Sequence, residues 1–473
     1  MDRKKLKKAA LIGAGTLLGI QAVRMLARST VNRTSDHALK ILMEDPYDEN
    51  LWELVSATSR IGWQNVVETN LRSALGRMIT RPMGSPKKFP SLDDIVFTFA
   101  QLHVMPTPLE EKIDLSVVIG KQAGRPLTID LPIMIAPMAY GKALSKKAKI
   151  ALAMGAAAMN TATNTGEGPF LPEERAAAKY LIYQYNRGDW DKTPEIIRQC
   201  DAVEIQLGQG AIGGVGHVMA AHEIDTELRK AFRFPKGKDA VSHSRQPEIK
   251  EPGDLVFLVE KLKKIGGGIP VGVKMAAGKH LEEDLRLICE ANVDFISMEG
   301  AEAATKASAP ILQDDFGVPM VFAISRAADW LKANGYRDKV SLIASGKMRT
   351  PGDVLKAVAL GADAVYMRAV ALFAMSHTQI LKALPFDPPT QVVWYSGKYA
   401  RRFNVKKGAK YLSQFLRACK EELETAVMAL GKTSIREVGR EDLMALNELI
   451  AKGCGLAMVY DPFVAPGPSP VYR

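Results

Sequence analysis

A lysine that closes an apolar run is placed to do chemistry. Lys274 follows Val271, Gly272 and Val273, so a strand over these residues carries its ammonium to an interior end, where it needs an anionic partner. Glu299 and Glu204 are the protein candidates, and a bound ligand carrying negative charge is the other. Polar groups also end the neighbouring apolar runs: Asn164 with Glu167 between Gly166 and Gly168, then Gln184 and Arg187, Gln206 and Gln209, and Glu299 with Glu302. Such groups converging on one mouth describe a ligand site. The two glycines let Glu167 approach a ligand closely. A second signal lies downstream. Ser345-Gly346-Lys347-Met348-Arg349 reads as a strand end and a glycine turn before a helix, and the following strand ends in Arg368. In a (β/α)8 barrel the loops after strands 7 and 8 form a phosphate cradle, to which Arg349 and Arg368 are expected to add charge-assisted bonds.

These residues need a parallel sheet to bring them to one end. Apolar runs alternating with helical patterns predict it, with strands at 133–137, 157–161, 181–184, 203–207, 270–274, 295–298, 341–344 and 364–367. Helices are expected at 145–154, 193–199, 252–264, 281–291, 324–334 and 350–360, and after the barrel at 409–430 and 440–452. The fold class is therefore α/β, a (β/α)8 TIM barrel with helical N- and C-terminal extensions. The divisions expected are 1–28, a basic and apolar helix; 29–114, mostly helical, with Trp52, Leu54, Trp63 and Val66 packing; 115–385, the barrel; and 386–473, helical. Leu115 to Ile129 reads as a hairpin turning at Ala123-Gly124-Arg125, and Pro82, Pro86 and Pro90 mark a linker or exposed loop.

Composition narrows the function. Of 473 residues, 47% are hydrophobic and 24% charged, as in an ordinary globular protein, and the net charge is +11. Part of that charge is Arg3, Lys4, Lys5, Lys7 and Lys8, followed by the uncharged run Ala9–Val23. That run is short for a span of about 20 residues, so a membrane anchor or membrane-lying helix over residues 9–27 is expected, carrying a cytoplasmic catalytic domain. Gly13, Gly15 and Gly19 lack the strand and spacing of a dinucleotide fingerprint. No nucleic-acid motif accompanies the charge, so no nucleic-acid partner is expected. The four cysteines lie in no metal-type spacing, and no metal site or iron–sulfur cluster is expected.

The strings APMAYGKALS, MNTATNTGEG, VEIQLGQGA, VGVKM, FISMEGAEAAT and ASGKMRTPGDV together resemble the FMN domain of glutamate synthase and its stand-alone homologues, from about residue 131 to 372. The resemblance implies FMN as cofactor. Pro137, Met138 and Ala139 would lie along the flavin ring, with Asn164 also on the cofactor side. Gln184 and Lys274 would contact the ring's polar edge, Lys274 with a catalytic role in stabilising charge on the reduced flavin. Ser345, Gly346, Lys347, Arg368 and Ala369 would surround the phosphate. Glu167 would be the catalytic acid facing the substrate, with Gln206 and Gln209 beside it. The implied reaction is hydride transfer between flavin N5 and the carbon of an imine made from a 2-oxo acid and ammonia, or the reverse amine oxidation, with electrons from a donor protein.

Three departures bear on this. The strand-4 motif's usual lysine and glutamine are replaced by the apolar Ile212–Ala221 loop. The family's cysteine cluster after strand 8 is replaced by Met375–Thr378, and its glycine-rich turn after strand 6 by Ala303-Ala304-Thr305-Lys306. An FMN oxidoreductase of a different 2-oxo or 2-hydroxy acid is therefore one alternative, and a non-catalytic flavoprotein subunit of a membrane complex the other.

Overall fold

The computed structural model describes residues 3–46, 50, 52–81, 84–303, 306, 308–383 and 388–462. Two compact units divide it, Met1–Ile79 and Thr80–Arg473. The first is helical, with helices Arg3–Glu44, Trp52–Ile61 and Trp63–Leu75. The helix expected over 1–28 thus continues to Glu44. Among the described residues no helix is long and apolar enough to cross a membrane. Trp52 and Trp63, expected to pack, are 56% and 60% exposed, and the side chain of Leu54 lies outside the described residues.

The second unit is built on eight parallel strands: β1 (Ile133–Ile135), β2 (Ala162–Asn164), β3 (Tyr180–Tyr185), β4 (Ala202–Gln206), β5 (Val271–Ala276), β6 (Phe295–Glu299), β7 (Ser341–Ser345) and β8 (Ala364–Met367). The ladder runs β1-β8-β7-β6-β5-β4-β3-β2. Consecutive strands are neighbours, as helical crossovers require of a barrel. At the seam between β1 and β2 the Thr161 hydroxyl donates to the Ile133 carbonyl. Strand residues are buried on both faces, Ile133, Ile182, Val203, Val273, Ile296, Leu342 and Val365 all being fully inaccessible. That is the signature of a sheet wrapped by helices.

Two expectations shift. The second strand is not 157–161 but Ala162–Asn164, because the helix Lys146–Ala157 extends through the small residues that read as strand. Asn160, at φ +48°, ends the turn that follows it, a conformation asparagine tolerates. Gly155 lets this helix approach the C-terminal helix Val405–Ala429; a Cβ there would lie 2.7 Å from Leu412. The second shift concerns 440–452, where only Glu448–Cys454 is α-helical. Leu443–Ala445 is a strand paired with Ile95–Phe97, which also breaks the helical reading of 29–114. The hairpin forms as read, Val117–Ile119 against Leu127–Ile129.

Between β4 and β5 an antiparallel ribbon forms, His217–Met219 against Ala240–Ser242, with His217 opposite Ser242. A small core of Tyr140, Leu171, Trp190, Ile224, Leu228, Phe232 and Ala240 packs it onto the loops after β1, β2 and β3.

Candidate active site

Strand register assembles the inner part of the site. Gln206 pairs with Lys274 and Lys274 with Ser297, while Glu299 pairs with Ser345 and Ser345 with Tyr366. Residues two apart share a face, so Glu204 and Gln206, and Ser297 and Glu299, project to the same side. Lys274 Nζ lies 3.3 Å from Glu299 Oε1 and donates to Gln209 Oε1 at 3.3 Å. Arg368 Nη2 reaches the same Glu299 oxygen at 3.0 Å, Ser345 Oγ donates to it at 3.2 Å, and the Gly210 N–H donates to Oε2 at 2.7 Å. Lys274 and Glu299 are both essentially inaccessible. Burial works to raise the Glu299 carboxyl, but the charges of Lys274 and Arg368 outweigh it and hold it below the ordinary carboxylate range. Glu204 goes the other way: burial raises it, and Lys274 offsets only part. Asn164, Ser297 and Tyr366 donate to Glu204.

Beside this network lies a cavity of about 300 Å³ lined by Ser345, Gly346, Lys347, Arg368 and Ala369. Gly346 has φ +144°, open to glycine and strained for other residues. The helix Ala369–Ser376 begins at this cavity, where free N–H groups favour an anion. Arg349 also lines the cavity, with its guanidinium engaged in ion pairs to Asp93 and Asp353. The Pro-rich segment, read as a linker or exposed loop, lines the cavity with Ser85 to Phe89. Arg81 holds it through a two-pronged ion pair to Asp314, at 2.7 and 3.0 Å.

Loops build the outer part. Glu167 sits after β2 in a turn that packs backbone to backbone on the loop after β1. A Cβ on Gly166 would lie 2.5 Å from the Ala139 nitrogen, and one on Gly168 would lie 2.5 Å from the Tyr140 carbonyl oxygen. The glycines therefore place the acid through loop packing, where the sequence suggested ligand approach. Below the turn, buried Lys149 donates to the Asn164 and Thr165 carbonyls and pairs with Glu174 at 2.8 Å. Around Glu167 stand Lys142 from the loop after β1, Arg187 from the loop after β3, and His217 and Ser242 from the ribbon. His217 Nε2 lies 3.6 Å from Glu167 Oε2. Lys142 Nζ donates to Ser242 Oγ at 2.7 Å and sits 4.4 Å above the Trp190 ring. Arg187 is clamped on the Gly214 and Val215 carbonyls.

Burial would raise Glu167, but Lys142, His217 and Arg187 hold it below the ordinary range. Burial brings the Lys142 ammonium down to about 8 and lowers His217. Buried polar atoms without a hydrogen-bond partner among the described residues include Glu167 Oε1, His217 Nδ1, Gln184 Oε1 and Gln206 Oε1. Such groups are costly unless something meets them.

The residues singled out in the sequence thus occupy distinct places. Ser345, Gly346, Lys347, Arg368 and Ala369 share one cavity. Lys274, Gln206 and Gln209 form one bonded set, with the Gln206 amide donating to Gln209 at 3.1 Å. Asn164 is tied up within the barrel by Glu204, Tyr366 and the Gly166 N–H. Pro137, Met138 and Ala139 form the loop that carries the Glu167 turn. Lys142 and Ser242 escaped the reading, since neither falls at the end of a barrel strand. His217 lies inside the Ile212–Ala221 segment, which the sequence marks only as a departure from the family pattern.

Residues 90–433 match the conserved region in glutamate synthase. The glutamate synthase large subunit-like protein of Rhizobium meliloti (strain 1021) is 32% identical over 401 residues, which is 81% of this chain and 90% of that protein. The archaeal glutamate synthase [NADPH] of Archaeoglobus fulgidus is 32% identical over 338 residues, 69% of this chain and 66% of that protein. Among solved structures, the flavin-binding domain of baker's yeast flavocytochrome b2 superposes with a TM-score of 0.48 at 16% identity, covering 79% of this chain and 83% of that one.

Proposed function

The chain belongs to the family defined by the conserved region in glutamate synthase, and from that premise we propose that it is an FMN oxidoreductase joining a 2-oxo acid and ammonia through an imine, or running the reverse amine oxidation. The observation that carries this reading is Glu167, a buried carboxylate kept ionised with one oxygen unpartnered.

The residues present fit FMN. A glycine at φ +144° and a helix start line a cavity suited to its phosphate. The unpartnered Gln184 Oε1 and the buried Lys274 suit the polar edge of a flat ring. Ser345, Gly346, Lys347, Arg368 and Ala369 would hold the phosphate, and Pro137 to Ala139 would flank the ring. When bound, FMN supplies the centre that accepts or releases hydride. Lys274, locked to Glu299 and Gln209, stabilises negative charge at the ring's edge without moving. Glu167, being ionised, holds an ammonium or iminium by charge. Lys142 supplies a cation for the acid's carboxylate, replacing the lysine missing from the strand-4 loop. Gln206 and Gln209 orient the substrate from the barrel side.

Anaerobic stopped-flow tests this. Reduced flavoprotein should reoxidise on mixing with 2-oxoglutarate plus ammonia, and with neither alone. Reoxidation by another 2-oxo acid without ammonia would favour the second reading, a 2-oxo or 2-hydroxy acid oxidoreductase, which the apolar Ile212–Ala221 loop supports. We further propose an electron-donor protein partner and surface binding of residues 9–27 to anionic membranes. Flotation with anionic vesicles tests the latter, and failure of the full chain to float would remove it.

A further inference from the structure

The ribbon between β4 and β5 brings a histidine to an acid that cannot itself give up a proton. Glu167 is ionised, so a proton moving at the substrate's nitrogen needs another carrier. His217 Nε2 stands 3.6 Å from Glu167 Oε2, and its Nδ1 is buried with no hydrogen-bond partner among the described residues. Opposite it on the ribbon, Ser242 Oγ accepts a hydrogen bond from the Lys142 ammonium. The charged groups facing His217 are Glu167 from the loop after β2, Lys142 from the loop after β1, and Arg187 from the loop after β3. Burial first, and then two cations against one anion, favour the neutral imidazole, the form that accepts a proton.

Resting on the reaction given above, we propose that His217 is the proton-exchanging group at the substrate's nitrogen, with Glu167 as the fixed counter-ion. In the oxidising direction the substrate ammonium gives one N–H proton to His217. With FMN bound as oxidant, the Cα–H bond would then break with its electron pair leaving as hydride, and C=NH2⁺ would remain. Water hydrolyses this iminium to 2-oxo acid and ammonium. In the reducing direction the same bonds form in reverse order, and His217 returns its proton to the new amine. Glu167 keeps its charge throughout. His217 lies in the segment where this chain departs from its family's strand-4 pattern.

The test is anaerobic flavin reduction by a panel of amino acids across pH 5 to 9, with wild-type holoprotein against His217→Gln and His217→Asn. Both variants should keep the wild-type flavin spectrum and saturate at amino acid concentrations within about threefold of wild type. The limiting reduction rate should fall about 100-fold or more, in the range of a lost general base. The wild-type rate should fall as pH drops through a value below 6.5, and the variants should lack that limb. Variants that keep the rate within threefold, or keep the acidic limb, overturn the assignment and leave the proposed reaction standing. A wild-type protein reduced by no amino acid in the panel, and not reoxidised by 2-oxo acid with ammonia, overturns both.

Discussion

Two charged clusters share the barrel mouth, and they are built in opposite ways. The inner one, Glu204, Lys274, Glu299 and Arg368, comes from strand residues and the position just past β8, set by register. Within it Lys274 and Arg368 meet the Glu299 carboxylate at 3.3 and 3.0 Å, and Glu204 is held by neutral donors. The outer one, Lys142, Glu167, Arg187, His217 and Ser242, comes from three loops and a ribbon spread over 100 positions of sequence. It keeps unpartnered atoms on Glu167 and His217. A network whose two cations share one buried carboxylate presents a fixed field, as suits a cofactor that stays. One left with open hydrogen-bonding positions suits a ligand that arrives and leaves.

The largest effect should come from breaking the closed cluster. Glu299→Ala leaves Lys274 and Arg368 without their shared carboxylate in a buried site. Removing one partner of such a set costs about 3–5 kcal/mol, so urea unfolding should shift by that much and the protein should purify without flavin. A small shift with flavin retained would show that the inner cluster does not depend on this carboxylate.

Changing the open cluster should spare the fold and move the kinetics. Lys142→Met should raise the KM for a 2-oxo acid by about 10- to 100-fold, equal to the loss of about 1.4 to 2.8 kcal/mol, with kcat changed far less. With its pKa brought down to about 8, Lys142 is charged below that value and neutral above it. Wild-type affinity for the acid should therefore weaken as pH rises through 8, and the variant should lose that dependence. An unchanged KM would take the carboxylate away from Lys142.

Gly166→Ala probes how the acid is placed. Its φ of +66° and the 2.5 Å approach to the Ala139 nitrogen predict a loss of about 1–3 kcal/mol in thermal or urea unfolding, with turnover reduced through displaced Glu167. The smallest effect is expected at Arg349→Ala. Its partly exposed pairs predict about 1 kcal/mol or less, with little change in flavin affinity because the guanidinium, though it lines the cavity, is engaged by Asp93 and Asp353. A marked fall in flavin affinity would restore Arg349 to the phosphate.

The same contrast explains what was legible in the sequence. Lys274, Glu299, Ser345 and Arg368 stand out because an apolar strand announces its own end, and register then determines their neighbours. Glu167 was legible because glycines flank it, though the glycines serve loop packing. Lys142 and Ser242 carry no such mark: one lies in a turn after β1 and the other in a ribbon whose pairing depends on a small aromatic core. Their meeting is a long-range event that local pattern does not encode. The misplaced β2 has a local cause, since alanines that suit a strand suit a helix better when a partner helix packs against Gly155.

The central claim is that the open cluster handles the substrate while the closed one holds the flavin. Anaerobic reoxidation of reduced Glu167→Gln by 2-oxo acid plus ammonia, against wild type in the same stopped-flow series, tests it most directly. The account predicts normal flavin content in the variant and a reoxidation rate lower by about 100-fold or more, in the range of a lost electrostatic stabiliser. Reoxidation within threefold of wild type, or a variant that cannot hold flavin, would contradict the division between the two clusters.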